Sequence, residues 1–139
     1  MADFTFAHRE EGFDEHINWS IRGYSDLLDD VISFSRYFVE NGTNVVDIGC
    51  STGKVTKAVM EYNEDHAPDA YYVGVEIAEG FFKDLEKRKA ALDKKGFVEF
   101  IFDDVRNYQF YNCSLVTSIF SLQFMSKKDR AKVIKDIYD

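Results

Sequence analysis

Residues able to bind a charged ligand gather in a short turn that follows an apolar run. The turn spans residues 47–53 (DIGCSTG), follows Val45-Val46 and precedes a helical pattern. A helix that begins directly after such a turn offers unpaired backbone N–H groups, and glycines let a ligand approach the backbone closely. The stretch therefore predicts a buried strand, a ligand-binding turn and a helix, in that order.

Two phosphate-binding turns do not match this spacing. A P-loop needs one more residue between its glycine and its Gly-Lys pair than Gly49 and Gly53 leave, and it needs Ser or Thr where Val55 stands. A dinucleotide fingerprint needs glycines where Ser51 and Lys54 stand. The spacing therefore excludes the first class and gives little support to the second.

The same spacing matches the first motif of class I S-adenosylmethionine (SAM) methyltransferases. That motif places an acidic residue, a glycine, a small residue and a second glycine at alternate positions, which Asp47, Gly49, Ser51 and Gly53 occupy; Cys50 lies between them. Because the amino-acid end of SAM is zwitterionic rather than a polyphosphate, an acidic residue beside the turn suits it. The alternative is a tight strand–helix turn that binds no ligand.

Acidic residues also lie at the carboxyl ends of the second and third predicted strands. The strand at 70–76 ends in Glu76, and a carboxylate there can accept hydrogen bonds from both hydroxyls of a ribose. After the strand at 97–102, Asp104 could accept from the exocyclic amine of adenine while the N–H of Val105 donates to a ring nitrogen. For Glu76 the alternative is a solvated strand end. For the paired aspartates Asp103-Asp104 it is a metal or acid–base site, and no His or Cys lies nearby in sequence to support one.

Alternating strand and helix patterns place these residues in an α/β fold with a doubly wound, parallel, Rossmann-like sheet. Strands are predicted at 43–49, 70–76, 97–102 and 113–120, and helices at about 26–40, 53–62, 79–94 and 127–138. The fourth strand is a continuous apolar run, so we expect it to be buried on both faces. The residues expected to face inward from the first two helices are Leu27, Leu28, Val31, Phe34, Phe38, Val55, Ala58, Val59 and Tyr62.

Composition and charge limit the classes of function. The chain of 139 residues is long enough for one domain with its own core, and its net charge is −8. A broad nucleic-acid surface would need clustered Lys and Arg, so we do not expect one. Cys50 and Cys113 have no metal spacing, no apolar run reaches transmembrane length, and the N-terminus is not signal-like. We therefore expect a cytoplasmic protein with no metal and no membrane contact.

The N-terminal residues are expected to differ from the domain that follows. Residues 1–12 mix charged and small residues and are predicted to form a mobile arm. The segment 13–24 is rich in aromatic residues. Its side chains His16, Trp19 and Tyr24 either cover a ligand pocket or pack the segment onto the domain.

With these segments placed, the chain resembles the carboxy-SAM synthase family, within the class I methyltransferases. The shared pieces are FDEH (13–16), SIRGYS (20–25), VVDIGCSTG (45–53), DDVRN (103–107) and SLQF (121–124). The resemblance implies SAM as cofactor, prephenate as the donor of a carboxylate to the methyl group of SAM, and a role in modification of the tRNA wobble uridine. A divergent methyltransferase on the same template and a SAM-binding module without catalysis both stay open.

The resemblance also implies which residues contact the cofactor. It assigns Tyr24 and the glycine turn to the amino-acid end of SAM, Glu76 to the ribose, and Asp104 to adenine. Ile77 and Ile119 stand near the ligand where the family has asparagine, and Glu76 stands where it has aspartate. No catalytic residue is assigned. The expected cofactor-binding residues are Tyr24, Asp47, Gly49, Cys50, Ser51, Gly53, Glu76, Ile77, Asp104, Val105 and Ile119.

The resemblance further implies a longer fold than this chain provides. The family continues beyond Asp139, so residues 13–139 resemble a SAM-binding domain without that family's C-terminal third. In the strand order 3-2-1-4 the strand at 113–120 is an edge, and a long apolar edge invites pairing. We therefore expect a homodimer partner, a second polypeptide or further residues to cover it.

Overall fold

Four parallel strands form one sheet in the computed structural model, which describes residues 22–92 and 96–139. The predicted arm at 1–12, His16, Trp19 and the predicted end of the third helix at 94 lie outside the described residues. In chain order the elements are α1 (Tyr24–Ser35), β1 (Asn44–Ile48), α2 (Lys54–Asn63), β2 (Tyr71–Glu76), α3 (Phe82–Leu92), β3 (Val98–Phe102), β4 (Cys113–Ser118) and α4 (Lys127–Tyr138). Short 3-10 turns span Glu79–Phe81, Val105–Asn107 and Leu122–Phe124.

The sheet has the order β3-β2-β1-β4, which confirms the predicted order and the doubly wound fold. In its register Asp47 of β1 lies beside Gly74 of β2 and Thr117 of β4. Because the strands are parallel, they all end at the same edge of the sheet. The residues that follow them therefore share one crevice, which is where open α/β sheets bind ligands.

Apolar residues cover both faces of the sheet. One cluster packs strand residues such as Val45 against Leu28 of α1 and Leu85 of α3. The other packs Val46 and its neighbours against Val133 of α4. The helices on the two faces hold the strand ends, and hence the crevice, in place. Among the described residues, no helix is both long enough and apolar enough to cross a bilayer.

The first helix is shorter than predicted and buries less of its apolar face. It ends at Ser35, so Phe38 leaves the helical face and is 53% exposed. The predicted inward orientation is also wrong for Leu27 and Phe34 of α1 and for Tyr62 of α2, which are all exposed. Helical periodicity shows that an apolar stripe exists, but the width of the stripe that is buried depends on what packs against it. Here α1 contacts the core through Tyr24 and Leu28, with Ile32 packed beside them.

Strand β4 is half-buried rather than buried on both faces. It ends at Ser118, and Phe120 beyond it has a left-handed backbone with φ +55°. Only Thr117 of this strand is buried, because β4 pairs with β1 on one side and lies at the edge of the described sheet. The cover expected over this edge stays a prediction.

Candidate ligand-binding site

A cavity of about 430 Å³ lies at the carboxyl ends of the four strands. Residues that follow every strand contribute to its wall, and its volume is in the range of small-molecule sites. Its lining includes every site residue predicted from the sequence except Gly53, namely Tyr24, Asp47, Gly49, Cys50, Ser51, Glu76, Ile77, Asp104, Val105 and Ile119. The fold thus brings residues that are distant in sequence to one crevice.

Backbone hydrogen bonds fix the glycine turn against β2. The N–H groups of Gly49 and Cys50 donate to the carbonyl of Val75 at 2.8 and 3.1 Å, and the N–H of Gly53 donates to the carbonyl of Cys50 at 2.8 Å. Gly49 and Ser51 both have left-handed backbones, with φ +67° and +52°. The turn is therefore preorganised, and it leads directly into the N-terminus of α2.

A close approach of two segments explains why residue 49 is glycine. A Cβ at Gly49 would lie 2.6 Å from the Cβ of Ser121, well inside van der Waals contact. The hydroxyl of Ser121 also donates to the carbonyl of Ile48 at 3.0 Å. Ser121 belongs to the segment after β4 and lines the cavity. A side chain at residue 49 would push apart the two segments that meet there.

Gly53, the remaining residue of the predicted set, packs closely against neighbouring side chains. A Cβ there would lie 2.8 Å from Cδ of Arg88 and 3.1 Å from the ring of Phe100, so the glycine allows α2 to pack closely on α3 and the sheet. Arg88 also donates from Nε to the carbonyl of Thr52 at 2.6 Å. The structure places Gly53 behind the turn, in packing, and not in the lining of the cavity.

Asp47 is a buried carboxyl in the lining of the cavity. It is 6% exposed, and it accepts hydrogen bonds from Oγ1 of Thr117 at 2.9 Å and from Oγ1 of Thr56 at 3.3 Å. Burial raises the pKa of Asp47 to about 7; the two threonine bonds lower it, and the nearby Glu76 carboxylate raises it further. Asp47 thus joins β1 to β4 and α2, and near neutral pH it exists in both protonation states.

Glu76 is also buried, and its carboxylate accepts from backbone groups. Oε1 accepts from the N–H of Ser51 at 2.7 Å, and Oε2 accepts from the N–H groups of Ile77 at 2.9 Å and Ala78 at 3.0 Å. The residue is 7% exposed. Its side chain therefore connects the end of β2 to the glycine turn after β1. Ile77 itself is 63% exposed, although it also lines the cavity.

Asp104 lies in a more exposed ion-pair network. Nε of Arg106 donates to both oxygens of Asp104, at 3.0 and 2.9 Å, and Nη1 of Arg106 donates to Oδ2 of Asp129 at 3.1 Å. The hydrogen bond from Arg106 holds the pKa of Asp104 below its ordinary value, and the same contact raises the pKa of Arg106. The network links the turn after β3 to α4.

Apolar side chains supply the remaining wall of the cavity. The ring centroids of Tyr24 and Phe120 are 6.2 Å apart, which brings α1 next to the segment after β4. Ile119 is half-buried against the core, and Phe124 and Met125 complete the apolar lining. This wall presents hydrocarbon and aromatic surface to a ligand whose other parts are polar.

Acidic groups outnumber basic groups in the lining of the cavity. The acidic residues are Asp47, Glu76, Asp103, Asp104 and Asp129, and the basic ones are Lys54 and Arg106. This excess of negative charge favours a cationic ligand. Burial raises the pKa of the Cys50 thiol well above its ordinary value, so Cys50 is a poor nucleophile. In residues 22–92 and 96–139, no three His, Cys, Asp or Glu side chains are grouped to hold a metal ion.

The lining also includes polar residues that were not predicted from the sequence, among them Arg106, Ser121 and Asp129. Arg106 and Ser121 lie in the stretches DDVRN and SLQF, which carry the resemblance. Membership in these stretches is the sequence signal that could have identified the two residues. Asp129 gave no such signal, because the arginine that it contacts lies 23 residues earlier in the chain.

The sheet order, the preorganised glycine turn and the cavity at the strand ends together define a class I methyltransferase fold. A family profile described as "Methyltransferase domain" matches residues 45–139, which is more than half of the chain. The chain therefore belongs to the methyltransferase domain family.

Individual relatives agree with this family. Carboxy-S-adenosyl-L-methionine synthase of Staphylococcus epidermidis is 33% identical over 126 residues, which cover 91% of this chain and 52% of that protein. The enzyme of the same name from Shewanella oneidensis is 32% identical over 139 residues, 99% of this chain and 56% of that protein. The chain thus spans about half the length of these relatives.

A solved structure shows the same fold. Magnesium protoporphyrin IX methyltransferase from Synechocystis, determined with bound SAM, superposes with a TM-score of 0.64 over 83% of this chain and 53% of that chain. The identity is 16%, so this likeness concerns the fold alone.

Proposed function

We propose that the cavity binds SAM and that the protein is a SAM-dependent transferase, either of the carboxy-SAM synthase type or a methyltransferase on that template. The observation that carries the proposal is that one cavity unites the glycine turn, Glu76 and Asp104. The resemblance assigns these separately to three parts of SAM. The names of the curated relatives and the SAM held by the Synechocystis enzyme support the same cofactor.

The residues present suit this cofactor. SAM carries a sulfonium cation, and the lining of the cavity has an excess of carboxylates. Gly49 keeps the turn free of a side chain where it approaches Ser121. The N-terminus of α2 follows the turn, and helix N-termini bind carboxylates through their backbone N–H groups and dipole. The amino-acid end, with its carboxylate, therefore has a suitable place at the turn.

The chain's contribution to reaction is positioning and charge. When bound, SAM supplies an electrophilic methyl group. Glu76 lies beside the turn with Asp47, whose charge depends on pH near neutrality, and Ile119 gives the cavity an apolar wall. Preorganised charge and fixed geometry are sufficient to contribute much of a transferase's rate enhancement. Prephenate is the proposed second substrate for the carboxy-SAM synthase type.

Two measurements on the purified protein test the proposal in sequence. Isothermal calorimetry should detect binding of SAM and of S-adenosylhomocysteine, and Gly49→Ala should abolish it while Gly42→Ala retains it. Incubation with SAM and prephenate, followed by mass spectrometry, should then reveal the mass of carboxylated SAM. Absence of binding to both ligands by the wild-type chain would refute the proposal.

A SAM-binding module without catalysis is the second candidate. Ile119 favours it, because this residue lines the cavity with hydrocarbon where the resemblance implies an asparagine. This candidate predicts calorimetric binding of SAM without turnover of prephenate or methylation of a tRNA. Turnover by the chain would exclude it.

We also propose that a second copy or another chain covers β4. The motive is that β4 is a half-buried edge with apolar residues such as Leu115 and Val116. Native mass spectrometry reads the oligomeric state and any co-purified ligand together. A stable monomer at micromolar concentration, with no tendency to aggregate, would contradict this expectation.

A further inference from the structure

The side chain of Glu76 reaches from the end of β2 to the glycine turn. Its Oε1 accepts from the N–H of Ser51 at 2.7 Å, while Oε2 accepts from the N–H groups of Ile77 and Ala78. We propose that Glu76 is a positioning residue that holds Ser51, and with it the turn, in the shape that receives the amino-acid end of SAM. The proposal rests on the proposed function and is separate from any contact of Glu76 with the ribose.

Ser51 needs such support because its backbone is left-handed. Its φ is +52°, a conformation that crowds the Cβ of an L-residue and is disfavoured relative to glycine. The commoner residue at this place in the motif is glycine, which adopts that conformation freely. A hydrogen bond from the Ser51 N–H to a buried carboxylate favours this one conformation, since charge-assisted bonds are among the stronger ones.

The length of the side chain matters for the contact. An aspartate at residue 76 would be one methylene shorter. It could still accept from the backbone N–H groups directly after it, as Asp side chains commonly do. The bond to Ser51 crosses between two loops and already measures 2.7 Å with the longer glutamate. A shorter side chain would lose it unless the backbone moved. Glutamate at 76 and serine at 51 are therefore a matched pair.

The consequence for binding is specific to one end of the ligand. Ser51 lies two residues before Gly53, the N-cap of α2, and the resemblance assigns this turn to the amino-acid end of SAM. Loss of the Glu76–Ser51 bond should therefore loosen the turn and weaken binding of the amino-acid end. It should leave contacts to adenine largely unchanged. A role of Glu76 limited to the ribose would instead affect every ligand that carries a ribose.

Two ligands separate these roles in a calorimetric titration of the whole chain. S-adenosylhomocysteine has the amino-acid end, and 5′-methylthioadenosine has the same ribose and adenine without it. Glu76→Asp should weaken binding of S-adenosylhomocysteine roughly tenfold and binding of 5′-methylthioadenosine less than about threefold, as expected for loss of one charge-assisted hydrogen bond. Retained binding of 5′-methylthioadenosine also shows that the variant is folded.

A double-mutant cycle provides a second test of the role of Glu76. In a Ser51→Gly background the turn no longer depends on the glutamate, so Glu76→Asp should cost S-adenosylhomocysteine binding clearly less than in the wild-type background. Equal weakening for both ligands, or equal loss in both backgrounds, would overturn the inference and leave Glu76 with a ribose contact only. If neither ligand binds the wild-type chain, the proposed function itself fails.

Discussion

The cavity has two carboxylate-bearing walls that are built differently. We call Asp47 and Glu76 the inner wall and the pair Asp104 and Arg106 the outer wall. The inner carboxyls are 6% and 7% exposed and accept hydrogen bonds from uncharged hydroxyl and backbone N–H groups. On the outer wall, the Asp104 side chain is 17% exposed and lies against an arginine side chain that is 46% exposed.

The difference assigns the two walls different physical roles. A buried carboxyl is costly unless its oxygens are bonded, so the inner wall ties β1, β2, β4 and α2 into one fixed arrangement. In the ion pair of the outer wall the arginine is exposed, so water and salt screen the pair and reduce its contribution to stability. The outer wall can therefore exchange partners when a ligand arrives. We expect changes at the inner wall to affect folding and binding together, and changes at the outer wall to affect mainly the charge of the cavity.

The largest effect is expected at the turn supported by the inner wall. Gly49→Ala combines a left-handed alanine with a collision against Ser121, and should destabilise the chain by about 2–4 kcal/mol. Gly42→Ala is the matched control: it has a similar φ, +72°, but no atom within 4 Å of the added methyl, so only about 1–2 kcal/mol is expected. Urea unfolding measures both. Equal losses would show that the contact with Ser121 contributes nothing.

A pH dependence of stability is expected from Asp47. Its pKa rises from 3.8 to about 7 on folding, so across that window the native state keeps a proton that the unfolded state has lost. The free energy of unfolding should therefore fall as pH rises through the window, by at most about 1.4 kcal/mol per pH unit, and level off above it. Asp47→Asn carries no such proton and should remove this component.

Urea titrations at about pH 5 and about pH 8 measure the part of the unfolding free energy that depends on the Asp47 proton. Relative to wild type, Asp47→Asn should gain stability as the pH rises. Asp30→Asn removes an exposed carboxylate from α1 and serves as the control that should follow the wild-type dependence. Parallel curves for wild type and Asp47→Asn would mean that Asp47 keeps the same protonation on folding.

Much of the fold could be predicted from local sequence. The alternation of strands and helices, the range of α4 and the order of the sheet all follow from hydrophobic patterns and chain connectivity. The burial of particular side chains could not be predicted in the same way. Phe34 belongs to an apolar stripe, yet it is 61% exposed, because periodicity does not say how wide the packed surface is.

The candidate site shows the same difference between features set by local sequence and features set by tertiary structure. The glycine turn and the acids after β2 and β3 are local features, and the cavity contains them. Their hydrogen-bond partners depend on tertiary structure. The Ser51 N–H that Glu76 holds lies 25 residues away, and Asp129 meets Arg106 across 23 residues. Gly53 fits the motif by its spacing, but only the position of α3 shows that it packs against Arg88.

The smallest effect is expected at the outer wall. Arg106→Gln should change stability only modestly, because the Arg106 side chain is 46% exposed. Arg36→Gln is the control: it breaks a more exposed pair with Asp65 on another part of the surface, so its effect on stability should be smaller still. The two variants should differ in ligand preference, because Arg106 lines the cavity. Removing its charge makes the cavity more negative and should raise affinity for SAM relative to the sulfonium-free S-adenosylhomocysteine, roughly twofold at low salt. Calorimetry with both ligands, at low and high salt, measures the ratio of the two affinities. If Arg106→Gln leaves this ratio unchanged, or if Arg36→Gln changes it equally, the outer wall does not set the charge that the ligand experiences.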